Sequence, residues 1–284
     1  MQYSRVEDNH FPANSLLRVK EKLVDLSQPK IMGIINLTDD SFHSESRVLD
    51  DKSLINKALQ QIEEGADFID IGAQSSRPGA PKVDEKLEAK KIEQAVLLLK
   101  KEFPNTLISI DTYRSTVAKI ALDSGADLIN DISGGNLDKE LLKVVGSYSV
   151  PYILMHMRDT PETMQKNTHY ENILMEMMVY FSKKIEEAKA FGIKDIIIDP
   201  GFGFSKTLEQ NFEVLDKLNH FKILEKPIMV GFSRKSMIYN RLLCSPENAL
   251  NGTTILNTKA LLSGAKLIRV HDVKEAKEIL QLIF

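Results

Sequence analysis

Ile31-Met32-Gly33-Ile34-Ile35-Asn36 is a short apolar run that closes on an amide side chain. The run is continuous rather than alternating, as expected of a parallel strand covered on both faces. Seven further runs repeat the pattern: Phe68 to Gly72, Leu107 to Asp111, Leu128 to Asp131, Tyr152 to His156, Ile196 to Asp199, Ile228 to Ser233 and Lys266 to His271. Between them lie stretches with helical spacing, such as Lys52 to Glu64, Asp84 to Lys101 and Tyr170 to Phe191. Strand and helix alternating eight times predict an α/β fold, a single (β/α)8 TIM barrel. Active sites of such barrels lie at the C-terminal ends of the strands. Asn36, Asp111, Asn130, Asp199, Lys235, Arg269 and His271 stand at those ends or just beyond, so one pattern marks both the fold and the candidate site.

The boundaries follow. Residues 1–30 are expected to form a short N-terminal extension packed on the barrel floor, with Leu16 to Leu26 as a strand or hairpin, and residues 31–284 the barrel. The chain has 284 residues, 43% of them hydrophobic, and no Pro/Gly/Ser linker divides it. A formal net charge of −3 does not favour nucleic acid as a partner. No apolar run approaches the roughly 20 residues of a spanning helix, so no membrane is expected. The N-terminus, MQYSRVEDNH, lacks the apolar segment of a signal peptide. The lone Cys244 excludes an intrachain disulfide and fits a reducing cytosol, so a cytoplasmic protein is expected.

A carboxylate in a barrel mouth can accept paired hydrogen bonds from a planar amino-amide edge. Asp111 and Asp199 are placed for this. Asn130 adds a donor and an acceptor, and Lys235 a cation for a carbonyl oxygen or ring nitrogen. Together they suit a small heterocycle of mixed donors and acceptors, a pterin or a purine. Taken singly, each could equally cap a loop or a helix. Arg269 and His271 alternate about Val270, which puts them on one face as a receptor for phosphate or another oxyanion. A surface ion pair of Arg269 with Asp272 or a neighbour is the competing reading. Arg77 with Ser75 and Ser76 offers a second polar loop. His156, between Met155 and Met157, reads as a packed core histidine, and Met175, Met177 and Met178 read as packing. No cluster has zinc spacing, and no Walker loop, Gly-x-Ser-x-Gly elbow or GxGxxG follows a strand.

From about Lys30 onward the chain resembles the dihydropteroate synthases. The segments that carry the resemblance are Ile31 to Thr38 with Asp40-Ser41-Phe42, Gly65 to Gly72, Ser75-Ser76-Arg77-Pro78-Gly79, Ser109 to Tyr113, Asn130 to Gly135, Leu154 to Met157, Asp199 to Phe204, Gly231 to Ser236, and Arg269-Val270-His271. The resemblance implies condensation of 6-hydroxymethyl-7,8-dihydropterin pyrophosphate with p-aminobenzoate, giving 7,8-dihydropteroate and pyrophosphate. It implies C–O cleavage running ahead of amine attack. Asp111, Asn130, Met155, Asp199, Gly231 and Lys235 would bind the pterin. Asn36, Ser75, Arg269 and His271 would bind pyrophosphate, with Asn36 reaching Mg²⁺. Ser76, Arg77, Pro78, Phe204, Lys235 and Ser236 would shape the p-aminobenzoate pocket. Asn36, Asp111, Lys235, Arg269 and His271 would act in catalysis. A homodimer is implied as well, and sulfonamides as inhibitors.

The chain departs from the family pattern in its first loop. His43-Ser44-Glu45-Ser46 replaces the usual Ser-Asp-Gly-Gly, and Asp39 stands where proline is common. Gln74 and Ser76 stand where Glu and Thr are usual. The alternatives from other classes are a methyltetrahydrofolate-dependent corrinoid methyltransferase and an inactive pterin-binding paralogue. The first needs no pyrophosphate site, so Ser233-Arg234-Lys235 and Arg269-Val270-His271 count against it.

Overall fold

A computed structural model describes residues 15–37, 47–74 and 83–284, with the side chains of 47–50 left aside. Two strands, β1 (Leu16–Val19) and β2 (Lys22–Asp25), pair antiparallel as a hairpin. Eight parallel strands follow: β3 (Lys30–Asn36), β4 (Phe68–Gly72), β5 (Leu107–Asp111), β6 (Leu128–Asp131), β7 (Tyr152–Met155), β8 (Ile196–Asp199), β9 (Met229–Val230) and β10 (Leu267–Val270). Their order is β8-β7-β6-β5-β4-β3-β10-β9. A parallel bridge from Ile198 to Ile228 joins the two outer strands, so the sheet closes on itself. The fold is the TIM barrel that the alternation predicts. Strand β9 is shorter than the run Ile228 to Ser233, because the chain leaves the sheet at Gly231 to form the next loop.

Helices α1 (Arg47–Glu63), α2 (Glu85–Glu102), α3 (Ser115–Asp123), α4 (Leu141–Tyr148), α5 (Ile173–Ala190), α6 (Leu208–Asp216), α7 (Ser236–Leu242), α8 (Leu250–Leu262) and α9 (Val273–Ile283) surround the strands. Asp84 caps α2, accepting from the backbone amides of Lys86 and Leu87. Its carboxylate also complements the positive end of the helix. Met177 on α5 is buried, whereas Met175 is exposed, so only part of the methionine group packs.

Strand alternation sorts the side chains into two populations. Ile31, Ile35, Ile69, Ile71, Ile108, Ile110, Ile129, Leu154, Ile198, Val230 and Ile268 point outward and pack beneath the helices. Met32, Phe68, Leu128, Ile153, Ile197, Met229 and Leu267 point inward as one apolar layer, with Leu107 against it. Leu17 within β1 and Leu26 just after β2 join this layer. The lower half of the barrel is thus a plugged hydrocarbon core. Two residues further along β4 to β10 the inward positions become Asp70, Ser109, Asn130, Met155, Asp199, Gly231 and Arg269. Five of these seven are polar, and that change from hydrocarbon sets where the site lies.

Candidate active site

Asp111 is the last residue of β5, where parallel pairing sets it between Gly72 and Asn130. A Cβ at Gly72 would come 3.4 Å from the Asp111 Cβ, so the glycine leaves the carboxylate room to turn inward. Arg269 crosses the barrel to meet it, its Nη2 donating to Asp111 Oδ2 at 2.7 Å. The same guanidinium donates through Nε to Asp70 Oδ2 at 2.5 Å. Asn130 Nδ2 donates to that Asp70 oxygen at 3.2 Å. Asp70 therefore ties Asn130 and Arg269 together. Its side chain is fully buried, and Oδ1 has no hydrogen-bond partner among the described residues, nor does the neighbouring Ser109 Oγ.

Burial, more than any other influence, pushes the Asp111 carboxyl up to about 7; Arg269 opposes the shift and the negative charge of Asp70 adds to it. Burial works against the charge of Arg269 too, but Asp70 and Asp111 more than offset it, so the guanidinium is held firmly protonated. The competing reading of Arg269, a pair with Asp272, does not describe the molecule. Asp272 instead holds Arg234, which donates to it through Nε at 3.0 Å and Nη2 at 2.7 Å. Asp272 thus engages Arg234, while of the same triplet Ser233 meets His271 and Lys235 reaches the Phe202 carbonyl.

Asp199 ends β8 beside Met155 and accepts from the Gly201 amide at 2.8 Å. Burial raises its pKa, while Lys235 and that amide pull it back. Lys235 Nζ donates to the Phe202 carbonyl at 2.7 Å and lies 4.8 Å from the centroid of the Phe204 ring. Burial lowers the Lys235 pKa to about 8, against the opposing charge of Asp199. The open side of Gly231 lies between Arg269 and Lys235. Met155 and Phe204 share an apolar wall with Ile132, Met157 and Met164. His271 follows β10 and meets Ser233 Oγ through its amide at 3.1 Å and Nδ1 at 3.0 Å. Asn36 is exposed at the end of β3, and Ser236 is exposed at the start of α7. Ser75, Ser76, Arg77 and Pro78, and the altered first loop from Thr38 to Ser46, lie outside the described residues.

The barrel thus brings Asp111, Asn130, Met155, Asp199, Phe204, Gly231, Lys235 and Arg269 to one mouth. Asp70, which the sequence pattern left unassigned, belongs among them. Its signal was present: it lies two residues after Phe68, on the same inward parity that carries Leu107 to Ser109 and Asp111. His156 sits below the mouth, 2% exposed, its ring edge-on to Tyr180 with centroids 4.9 Å apart. It is a packed core histidine, as its place between two methionines predicts.

A polar mouth with three inward carboxylates, an amide, a lysine and a clamped arginine is the setting in which the relatives become informative. The family model described as "Pterin binding enzyme" matches residues 32–271. The dihydropteroate synthase of Synechocystis sp. is 41% identical over 253 residues, 88% of this chain and 87% of that protein. The chain belongs to the pterin-binding enzyme family, among its dihydropteroate synthases. The Yersinia pestis dihydropteroate synthase, solved as a complex with a sulfonamide drug, superposes with a TM-score of 0.88 at 34% identity, covering 94% of this chain and 97% of that one. The Xanthomonas albilineans dihydropteroate synthase, solved with 4-aminobenzoic acid, gives a TM-score of 0.86 at 31% identity, covering 94% and 96%. The activity is that of a transferase of folate biosynthesis, and the methyltransferase alternative falls away.

Proposed function

We propose that this mouth divides the dihydropteroate synthase reaction among its residues as follows. Asp199, Asn130, Lys235 and Asp111 bind the pterin edge, with Met155 against its face and Gly231 leaving it room. Arg269 and His271 receive the pyrophosphate, joined by Ser75. Phe204, Lys235 and Ser236, together with Ser76, Arg77 and Pro78, form the p-aminobenzoate pocket. The observation that carries this reading is the switch from hydrocarbon to polar side chains on the inward parity of β4, β5, β6, β8 and β10, beside Lys235 and Phe204.

The chemistry suits those groups. The C–O bond to pyrophosphate breaks with its electron pair leaving on oxygen, and the p-aminobenzoate nitrogen forms the new C–N bond and then sheds a proton. Little covalent work falls to the protein, so positioning and charge stabilisation dominate. Arg269 and His271 would stabilise negative charge as it gathers on the leaving group. A half-buried Lys235 would hold the pterin while keeping Phe204 against the second ring.

Mg²⁺ fits this mouth in one form only. No group of three or more His, Cys, Asp or Glu residues among the described residues could cage a metal, and Asn36 offers one exposed amide oxygen. Mg²⁺ retains waters and is commonly held by one or two protein oxygens plus substrate phosphates. Asn36 would therefore hold an ion carried in by the pyrophosphate, and the ion would neutralise part of the leaving group's charge. Exposed apolar residues at the end of α7 and on α8, namely Leu242 with the following Leu243, then Ile255 and Leu262, support a homodimer. The single cysteine supports a cytoplasmic location. Incubation with pterin pyrophosphate, p-aminobenzoate and Mg²⁺ tests the whole reading. Stoichiometric dihydropteroate and pyrophosphate are expected, and binding of the pterin without turnover would overturn it.

A further inference from the structure

Lys206 lies in the loop between β8 and α6 and is 3% exposed. Burial lowers its pKa to about 7, against the charge of Asp199. As an ammonium it has three protons for three acceptors. Nζ lies 3.0 Å from the Gly201 carbonyl, 3.0 Å from the Phe204 carbonyl and 3.2 Å from His156 Nδ1. With Lys206 donating, His156 Nδ1 is the bare ring nitrogen. Burial first, then the charges of Lys206 and Arg158, hold the imidazole well below its usual pKa and keep it neutral.

The two carbonyls that Lys206 grips bracket the residues that build the mouth. Between them Phe202 offers the carbonyl that receives Lys235, and Phe204 supplies the ring beneath the same ammonium. The loop cannot take a relaxed path. Gly201 has φ +68, and a Cβ there would fall 2.2 Å from the His156 carbonyl. Such close approach of two backbones needs glycine and something to hold it. Other bonds fasten the loop's outer side: Gly203 donates to Asn211 Oδ1 at 2.7 Å, and Gln165 donates to the Gly203 carbonyl at 2.9 Å.

We infer that Lys206, with His156 as its acceptor, is a positioning residue that fixes the β8–α6 loop from beneath and so sets Lys235 and Phe204 for p-aminobenzoate. It touches no ligand itself. The inference rests on the dihydropteroate synthase reading, and turnover by the parent enzyme is the control that separates the two. The pterin is held mainly from the strands, by Asp111, Asn130 and Asp199. Loosening the loop therefore weakens the second substrate more than the first.

The test uses Lys206→Met, His156→Leu and His156→Asn. Asparagine places an acceptor oxygen near the position of Nδ1, and leucine does not. For Lys206→Met the KM for p-aminobenzoate should rise tenfold or more and kcat should fall, while the dissociation constant of a pterin analogue changes less than threefold. His156→Leu should move the same quantities in the same direction, and His156→Asn should recover most of that loss. Equal losses for both ligands would place the effect in the charge near Asp199 and overturn the inference, as would parental kinetics in Lys206→Met. If Lys206→Met does not fold, the two His156 variants decide, and indistinguishable kinetics for them would overturn it.

Discussion

Asp70→Asn removes one charge from the centre of the mouth and keeps the shape of the side chain. In the parent, Oδ2 receives Arg269 Nε at 2.5 Å and Asn130 Nδ2 at 3.2 Å. The asparagine can keep its oxygen there and put its amide where the unpartnered Oδ1 stood. The Asn130 bond falls from a charged one, about 1.5–3 kcal/mol, to a neutral one, about 0.5–1.5, while the Arg269 bond stays charge-assisted through the guanidinium alone. The loss is then about 1–2 kcal/mol, and about 1.4 kcal/mol is a factor of ten. The kcat/KM for pterin pyrophosphate should fall roughly 5- to 30-fold by that conversion. Asp111 still holds the other arm of Arg269, so the fall should stop short of abolition.

A second effect has an opposite sign and a different readout. Asp70 raises the Asp111 pKa, so its removal moves that carboxyl below about 7. If ionised Asp111 accepts from the pterin, the acidic limb of pterin binding should shift to lower pH in Asp70→Asn. Folding responds to the same group. A carboxyl raised in the folded state gives stability that is full below its unfolded pKa and is lost as pH rises through the folded value. The parent should lose more stability than the variant between about pH 4 and 7. Calorimetric titration with a pterin analogue from pH 5.5 to 8.5, with denaturant melts across the acid range, measures both. Unchanged kcat/KM together with an unmoved acidic limb would show that Arg269 is oriented by Asp111 alone.

Three further outcomes are expected. Asp199→Asn should weaken a pterin analogue by tenfold or more, because an acceptor that already serves Gly201 gains a donor facing the ligand's own donors; unchanged affinity by calorimetry would remove Asp199 from the pterin edge. Mg²⁺ should bind tightly only with pyrophosphate or pterin pyrophosphate present, and micromolar binding to the ligand-free protein would contradict the single-ligand role of Asn36. Phe68→Ala should lower unfolding free energy by about 3–5 kcal/mol in denaturant titrations, with the KM values little changed, since Phe68 is fully buried in the apolar layer below the mouth.

The strands were legible because each lies in a short buried run with its own start and stop, a property carried by four to six adjacent residues. β4, β5, β6 and β8 span the residues that the apolar runs mark. Residues at strand ends were legible for a related reason, since a barrel fixes the place of a C-terminal strand position before any contact is known. What could not be read were contacts between distant strands. Arg269 meets Asp70 and Asp111 across 199 and 158 positions of sequence, and no local pattern distinguishes that clamp from a surface pair with the adjacent Asp272. Lys206 was illegible for the opposite reason. A lysine after a glycine-rich loop reads as solvated, because burying an ammonium is costly unless acceptors are supplied. Here the chain supplies three, two of them carbonyls of the loop that the lysine closes.

These two hidden groups divide the mouth by mechanical origin. Asp70 works from inside the sheet, where β-pairing already fixes the backbone on either side of it, so its variants should alter charge more than shape. Lys206 works from beneath a loop that has no ladder to hold it, so its variants should alter shape more than charge. On the proposed assignment, the pterin and pyrophosphate groups on β4, β5, β6, β8 and β10 would form a preorganised half. The proposed p-aminobenzoate side would be built on loops, from Phe204 and Lys235, and would depend on side chains that hold those loops in place. An enzyme arranged this way should lose its second substrate first under mild destabilisation, since local opening begins where backbone hydrogen bonds are fewest. Pterin-analogue affinity should persist at urea concentrations where p-aminobenzoate affinity has already fallen.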